Sequence, residues 1–156
     1  MPRLAHANSY RDLLVYQKCR ALSREIFTLT KGFPKEEMYS LTDQVRRSSR
    51  SVGAQISESW AKRRYEKYFV SKLTDADGEQ QETQHWIETA LDCGYISNDQ
   101  ADRLLAQCAE IGRLLGGMMA KAELFCNPSA HSAREEQAPY PAEYLSTDHR
   151  PLITDY

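Results

Sequence analysis

Apolar residues recur along most of this chain in alternating steps of four and three, the spacing that places them on one side of an α-helix. Val15, Cys19, Leu22, Ile26 and Leu29 keep this register. They predict a first helix that opens near Tyr10 or Arg11 and closes at Gly32, where Pro34 blocks continuation. A second helix is predicted from Glu37 to Arg63, burying Leu41, Val45, Val52, Ile56 and Trp60. Its interior is dense in small residues (Ser48, Ser49, Gly53, Ala54, Ser57). That composition costs helix propensity and implies close approach of another helix.

The third helix is predicted from Tyr65 to Cys93, with Phe69, Leu73, Ala76, Ile87, Ala90 and Leu91 on its stripe and Gly94 closing it in the left-handed conformation. Gln80, Thr83 and Gln84 interrupt the stripe, and Gly78 weakens the same region. A polar network inside the fold is the expected consequence. The fourth helix opens on Ser97-Asn98-Asp99-Gln100, the pattern of a capping box. Its stripe runs unbroken through Leu104, Cys108, Ile111, Leu115, Met118, Ala122 and Phe125. Four amphipathic helices with short connections and no alternating strand predict an all-α fold, an antiparallel up-down-up-down four-helix bundle.

Composition divides the chain further. Four of its six prolines lie beyond Asn127, and from that residue onward the net charge is −3. The sequence therefore reads as an N-terminal arm over residues 1–9, a bundle over 10–125 and an acidic, proline-containing, mostly irregular tail over 126–156. In the tail, Tyr140, Tyr144, Leu145, Leu152 and Ile153 are apolar anchors that either dock on a partner or remain unstructured. With 20 basic and 22 acidic residues among 156, the whole chain carries −2. A chain of this size builds an adequate core without a metal or disulfide staple. Apolar runs such as Leu13-Leu14-Val15-Tyr16 fall far short of the ~20 residues of a membrane span. The start of the chain lacks the apolar stretch of a secretory signal, so a cytoplasmic location is expected. Cys19, Cys93, Cys108 and Cys126 form no paired-cysteine motif and are expected to be free thiols.

Several blocks resemble a known family. Tyr10-Arg11-Asp12-Leu13-Leu14-Val15-Tyr16-Gln17-Lys18, Gly32-Phe33-Pro34-Lys35-Glu36-Glu37 and Tyr39-Ser40-Leu41-Thr42-Asp43-Gln44-Val45-Arg46-Arg47-Ser48 are similar to the bacterial four-helix-bundle proteins first noted in intervening sequences of 23S rRNA genes. Ala54-Gln55-Ile56-Ser57-Glu58 and Ala90-Leu91-Asp92-Cys93-Gly94-Tyr95-Ile96-Ser97 resemble later blocks of the same family. The resemblance implies a bundle that assembles as a ring-shaped homo-oligomer, most plausibly a pentamer. A related branch, the accessory proteins of diversity-generating retroelements, forms basic pentamers that bind nucleic acid and a reverse transcriptase. This chain departs from the family at Glu79-Gln80-Gln81 and at Ser59-Trp60-Ala61, and from the basic branch in its near-neutral charge.

Candidate chemistry concentrates around the second helix. Arg46, Arg47, Arg50, Lys62, Arg63, Arg64 and Lys67 give the segment from Ser40 to Lys67 a net charge of +4. At helical spacing Arg46, Arg50 and Arg64 project within ~40° of one another. Cations repeated around an oligomer suit the phosphates of RNA or DNA, and Tyr65, Tyr68 and Phe69 offer rings for unpaired bases. The competing reading is a solvated face or a contact between subunits or with a protein partner. Trp60, Tyr65, Tyr68 and Trp86 are more large aromatics than a slender bundle buries, which makes them candidate oligomer-interface residues. Glu82 and His85 have the Glu-x-x-His spacing of di-iron bundles, but only one copy occurs. No nucleophile elbow or phosphate-cradling loop is present. The sequence reading is therefore a non-enzymatic protein with no metal and no cofactor.

Overall fold

The computed structural model describes residues 4–126 and 139–147. Four long helices form the bundle: α1 (Leu14–Thr30), α2 (Asp43–Ala61), α3 (Glu66–Asp92) and α4 (Asn98–Ala120), followed by a short α5 (Ala122–Phe125). α1 packs against α2 and α4, and α3 packs against the same two helices, so the four close around one core. The stripes read from the sequence supply that core. Leu22, Ile26, Val52, Ile56, Leu73, Leu104, Ile111 and Leu115 are almost wholly excluded from water. None of the described helices is long and apolar enough to cross a membrane.

Local chemistry explains the helix ends. Ser97 Oγ accepts from Gln100 N–H at 3.1 Å, while the Gln100 side chain accepts from Ser97 N–H at 2.9 Å, completing the expected capping box. Gly94, at φ +74°, lets the chain turn so that Gly94 and Tyr95 N–H reach the Leu91 and Ala90 carbonyls. Two ends differ from expectation. The first helix begins at Leu14, because Ser9 and Asp12 cap a separate 3-10 turn over Tyr10–Asp12 and Leu13 is extended. The second is preceded by a π turn over Met38–Thr42 and stops at Ala61, two residues short of Arg63.

The expected polar residues divide between two contacts, Thr83 toward α2 and the Gln80–Asp77 pair beside Gly112 of α4. Thr83 Oγ1 donates to Ser48 Oγ at 2.9 Å, and Ser48 donates to the Val45 carbonyl of its own helix. Gln84 donates to Gln80 Oε1 and Gln80 to Asp77 Oδ1, so the buried amide of Gln80 is satisfied on both sides. The small residues of α2 serve two neighbours. Ser48 is buried against α3, whereas a Cβ on Gly53 would meet Tyr16 and Cys19 of α1 at 3.6 and 3.9 Å.

The largest correction concerns the tail. Residues 139–147 return to the bundle and belong to the fold. β1 (Leu4–His6) and β2 (Pro139–Pro141) pair antiparallel, Leu4 opposite Pro141, and Leu13 bridges Leu145. The arm is paired by this return as well. Tyr140 is 1% exposed, its ring between Trp60 (5.2 Å) and Phe125 (5.5 Å), and Tyr144 and Leu145 are also buried. Lys121 pairs with Glu143 at 2.5 Å, and Ser146 N–H donates to the Asp12 carbonyl at 2.7 Å. Burying an aromatic side chain stabilises by about 1.5–3 kcal/mol, enough to hold a short segment whose backbone is also paired. The anchors Tyr140, Tyr144 and Leu145 are thus spent on the chain's own core. Leu152 and Ile153 lie outside the described residues.

Candidate nucleic-acid interface

The seven basic residues of the α2 region separate into three groups. On the α1 side, Arg46 extends across to the end of α1, where its Nε donates to Thr30 Oγ1 at 2.8 Å. Its guanidinium lies 4.7 Å from the centre of the Phe27 ring, that of Arg50 lies 5.5 Å from it, and Lys31 Nζ lies 4.8 Å from it. Three cations thus surround one ring that is itself 38% exposed. Among the described residues no carboxylate forms an ion pair with Lys31, Arg46 or Arg50. Their charge remains available to an anion.

On the α3 side the charge is already neutralised. Arg47 Nη2 donates to Glu82 Oε1 at 2.7 Å and its Nη1 lies 3.7 Å from Glu79, while Trp86 Nε1 donates to the same Glu82 oxygen at 3.2 Å. The hydrogen bond from Arg47 to Glu82 holds the guanidinium pKa above its ordinary value. Partial burial acts to raise the Glu82 pKa, but hydrogen bonds from Trp86 and Arg47 outweigh it and the carboxyl sits below the usual range. Elsewhere between the same two helices, Lys72 bridges Glu58 at 2.9 Å. Glu82 is therefore a brace between helices. His85 is exposed and packs edge-on to Trp86, and no group of three or more potential metal ligands occurs among the described residues.

Arg63 forms the third group and is a correction to its place in the basic face. Only 8% exposed, it lies 3.6 Å over the Trp60 ring, donates to the Trp60 carbonyl at 2.8 Å and donates to the Tyr140 hydroxyl. It fastens the returning segment and is largely withdrawn from the surface. Trp60, expected at a subunit interface, is covered by the same two residues and is 9% exposed. Trp86 is half-buried against Glu82.

Lys62 and Arg64 are exposed at the turn between α2 and α3, and Lys67 is exposed in the first turn of α3. Because α2 ends at Ala61, Arg64 does not continue the line of Arg46 and Arg50; it lies beyond the helix, 5.8 Å over Tyr65. Tyr65 and Tyr68 are 56% and 53% exposed and meet edge-to-face at 5.6 Å, with Lys62 over Tyr68 at 5.8 Å. Cations and open rings therefore occur at both ends of α2. Sequence reasoning missed Lys31 and Phe27, which lie on a different helix and its exit, and whose only signal was an exposed aromatic off the α1 stripe.

Three of the four thiols, Cys19, Cys108 and Cys126, are buried, and Cys93 is exposed. Burial pushes the Cys108 and Cys126 thiols up to about 12 and raises Cys19 as well.

The sequence profile of the 23S rRNA-intervening sequence proteins matches residues 11–117. A crystal structure of a protein with unknown function from the S23 ribosomal protein family of Bacteroides thetaiotaomicron is similar with a TM-score of 0.62 and 27% identity, over 69% of this chain and 96% of that one. No curated protein matches.

Proposed function

This chain belongs to the 23S rRNA-intervening sequence protein family, and from that premise we propose that it is a non-catalytic bundle that forms a pentameric ring and binds single-stranded RNA or DNA. The observation that carries the reading is the segregation of charge about α2. Among the described residues, Arg46, Arg50 and Lys31 are free of carboxylates on the α1 side, whereas Arg47 is neutralised on the α3 side. Phosphates need cations that are not already paired, and a ring repeats the face several times with a gain in avidity. Lys62, Arg64 and Lys67 with the open rings of Tyr65 and Tyr68 extend it at the far end of α2, where stacking on bases needs no particular sequence. Tyr65 and Tyr68 serve either that role or the contact between subunits.

The test is fluorescence anisotropy of labelled single-stranded RNA and DNA at low and moderate salt. Affinity should fall steeply with salt, and the double variant Arg46→Ala/Arg50→Ala should weaken binding by roughly tenfold or more and flatten the salt slope by about one for each phosphate it no longer holds. Arg47→Ala should bind as the parent does. Absence of binding at low salt overturns the nucleic-acid reading in favour of a protein scaffold. A single monomeric species in sedimentation at micromolar concentration overturns the ring.

A further inference from the structure

Beside the Phe27 cluster, a groove of about 170 Å³ lies between residues of α1 and α2. Arg20, Arg50, Tyr16, Gly53, Ala54 and Ser57 are among the residues that line it, and no carboxylate does so among the described residues. Arg20 Nε is covered from water and has no hydrogen-bond acceptor among the described residues. A polar N–H left in that condition is destabilising, and turning the guanidinium toward the groove relieves it as soon as an oxyanion is present. Arg50 already faces the groove with a charge that no described carboxylate takes. Gly53 and Ala54 contribute little side-chain volume to the groove lining. The lining serine hydroxyls donate to carbonyls of their own helices, Ser23 to Arg20, Ser49 to Arg46 and Ser57 to Ala54, so the arginines are the charged side-chain donors that remain.

We propose that this groove is a phosphate-binding pocket, in which Arg20 and Arg50 seat one phosphoryl group of a nucleotide chain. The assignment rests on the nucleic-acid reading for its ligand and shares Arg50 with it, while Arg20 and the groove belong to the pocket alone. It makes Arg20, a residue outside the basic segment of α2, one jaw of the clamp. Planar guanidinium forks on two helices suit a tetrahedral oxyanion better than ammonium groups do.

The experiment follows the arginine Nε–H resonances of the full chain by ¹H–¹⁵N NMR during titration with inorganic phosphate, a nucleoside monophosphate and a single-stranded oligonucleotide. The peaks are assigned by their disappearance in Arg20→Lys and Arg50→Lys. Both should shift with phosphate and with the oligonucleotide, whereas the Arg113 resonance, held by Glu110, should stay in place. Oligonucleotide affinity should fall on the order of tenfold in Arg20→Ala. It should fall as much in Ala54→Glu, which places a carboxylate at an exposed position of the floor without disturbing the core. Oligonucleotide binding with an unmoved Arg20 peak and unchanged affinity in both variants overturns the pocket and leaves the nucleic-acid reading intact. Shifts with phosphate or the mononucleotide but no oligonucleotide binding support the pocket as a site for free phosphate esters and overturn the nucleic-acid reading. No shift with any of the three overturns the pocket outright.

Discussion

The two flanks of α2 carry arginines one position apart in sequence and opposite in use. Arg46 leans on α1, covers Phe27 and meets no acid among the described residues; Arg47 leans on α3 and is shared by Glu79 and Glu82. The α3 flank also holds the buried Ser48–Thr83 bond, and beyond the helix end Arg63 is locked over Trp60. Among the described residues, one flank pairs its arginine with carboxylates, though Glu79 Oε2 there is buried without a hydrogen-bond partner, and the other leaves its arginines without carboxylates. Local charge density therefore overstates a binding surface. What decides is which neighbouring helix brings carboxylates, a property of tertiary pairing over tens of residues.

The largest effect that sharpens this contrast is expected where Arg63 meets the returning segment. Tyr140→Ala removes a buried ring from between Trp60 and Phe125 and takes the phenolic oxygen away from Arg63. Truncating a buried aromatic costs about 3–5 kcal/mol. Urea denaturation should show a loss in that range, with oligonucleotide affinity at the α1 flank retained under native conditions. A loss below about 1 kcal/mol would contradict the docking of residues 139–147, since exposed positions respond on that smaller scale.

Two glycines compare the packing behind the flanks. Gly112→Ala on α4 places a Cβ 2.8 Å from Gln80 Nε2, which is buried and already donates to Asp77. Gly53→Ala on α2 makes ordinary contacts with Tyr16 and Cys19. Both gain helix propensity of roughly 0.5–1 kcal/mol. The alanine at 112 should still be destabilising by roughly 1 kcal/mol, because displacing a packed polar side chain exceeds that gain. The alanine at 53 should be neutral or slightly stabilising. Equal responses at the two sites, measured by the same denaturation, would show that the polar network yields as readily as the groove.

Much of this molecule was legible in its sequence, and the boundary of legibility is physical. Stripes, the Ser97 cap and the Gly94 turn are local, encoded in spacings of three and four, and the interruption at Gln80 and Thr83 announced a polar network. The return of residues 139–147 was not legible. Proline and acid content describe a segment poor in helix but are silent on one tyrosine that fits between two aromatic rings and an arginine. The basic face was half legible for the same reason. Seven cations could be counted, but Glu79 and Glu82 lie more than thirty residues beyond Arg47, and Phe27 nineteen before Arg46.

The smallest predicted effect isolates the neutralised flank by pH. Glu82 has a folded-state pKa below its unfolded one, so its contribution is fully present above the ordinary carboxylate range and fades as pH drops through the lowered folded value. Thermal melts of the parent between pH 7 and pH 3 should show an acid-side loss that is shallower in Glu82→Gln, which cannot ionise, and in Arg47→Ala, which lets the Glu82 pKa rise. At pH 7 an ion pair this exposed is worth only about 0.2–1 kcal/mol, so both variants remain folded. Their oligonucleotide affinity should then match the parent's. A substantial loss of affinity in Arg47→Ala at pH 7 would mean that Arg47 leaves Glu82 for phosphate, and that the flank neutralised in the free protein joins the open one on binding.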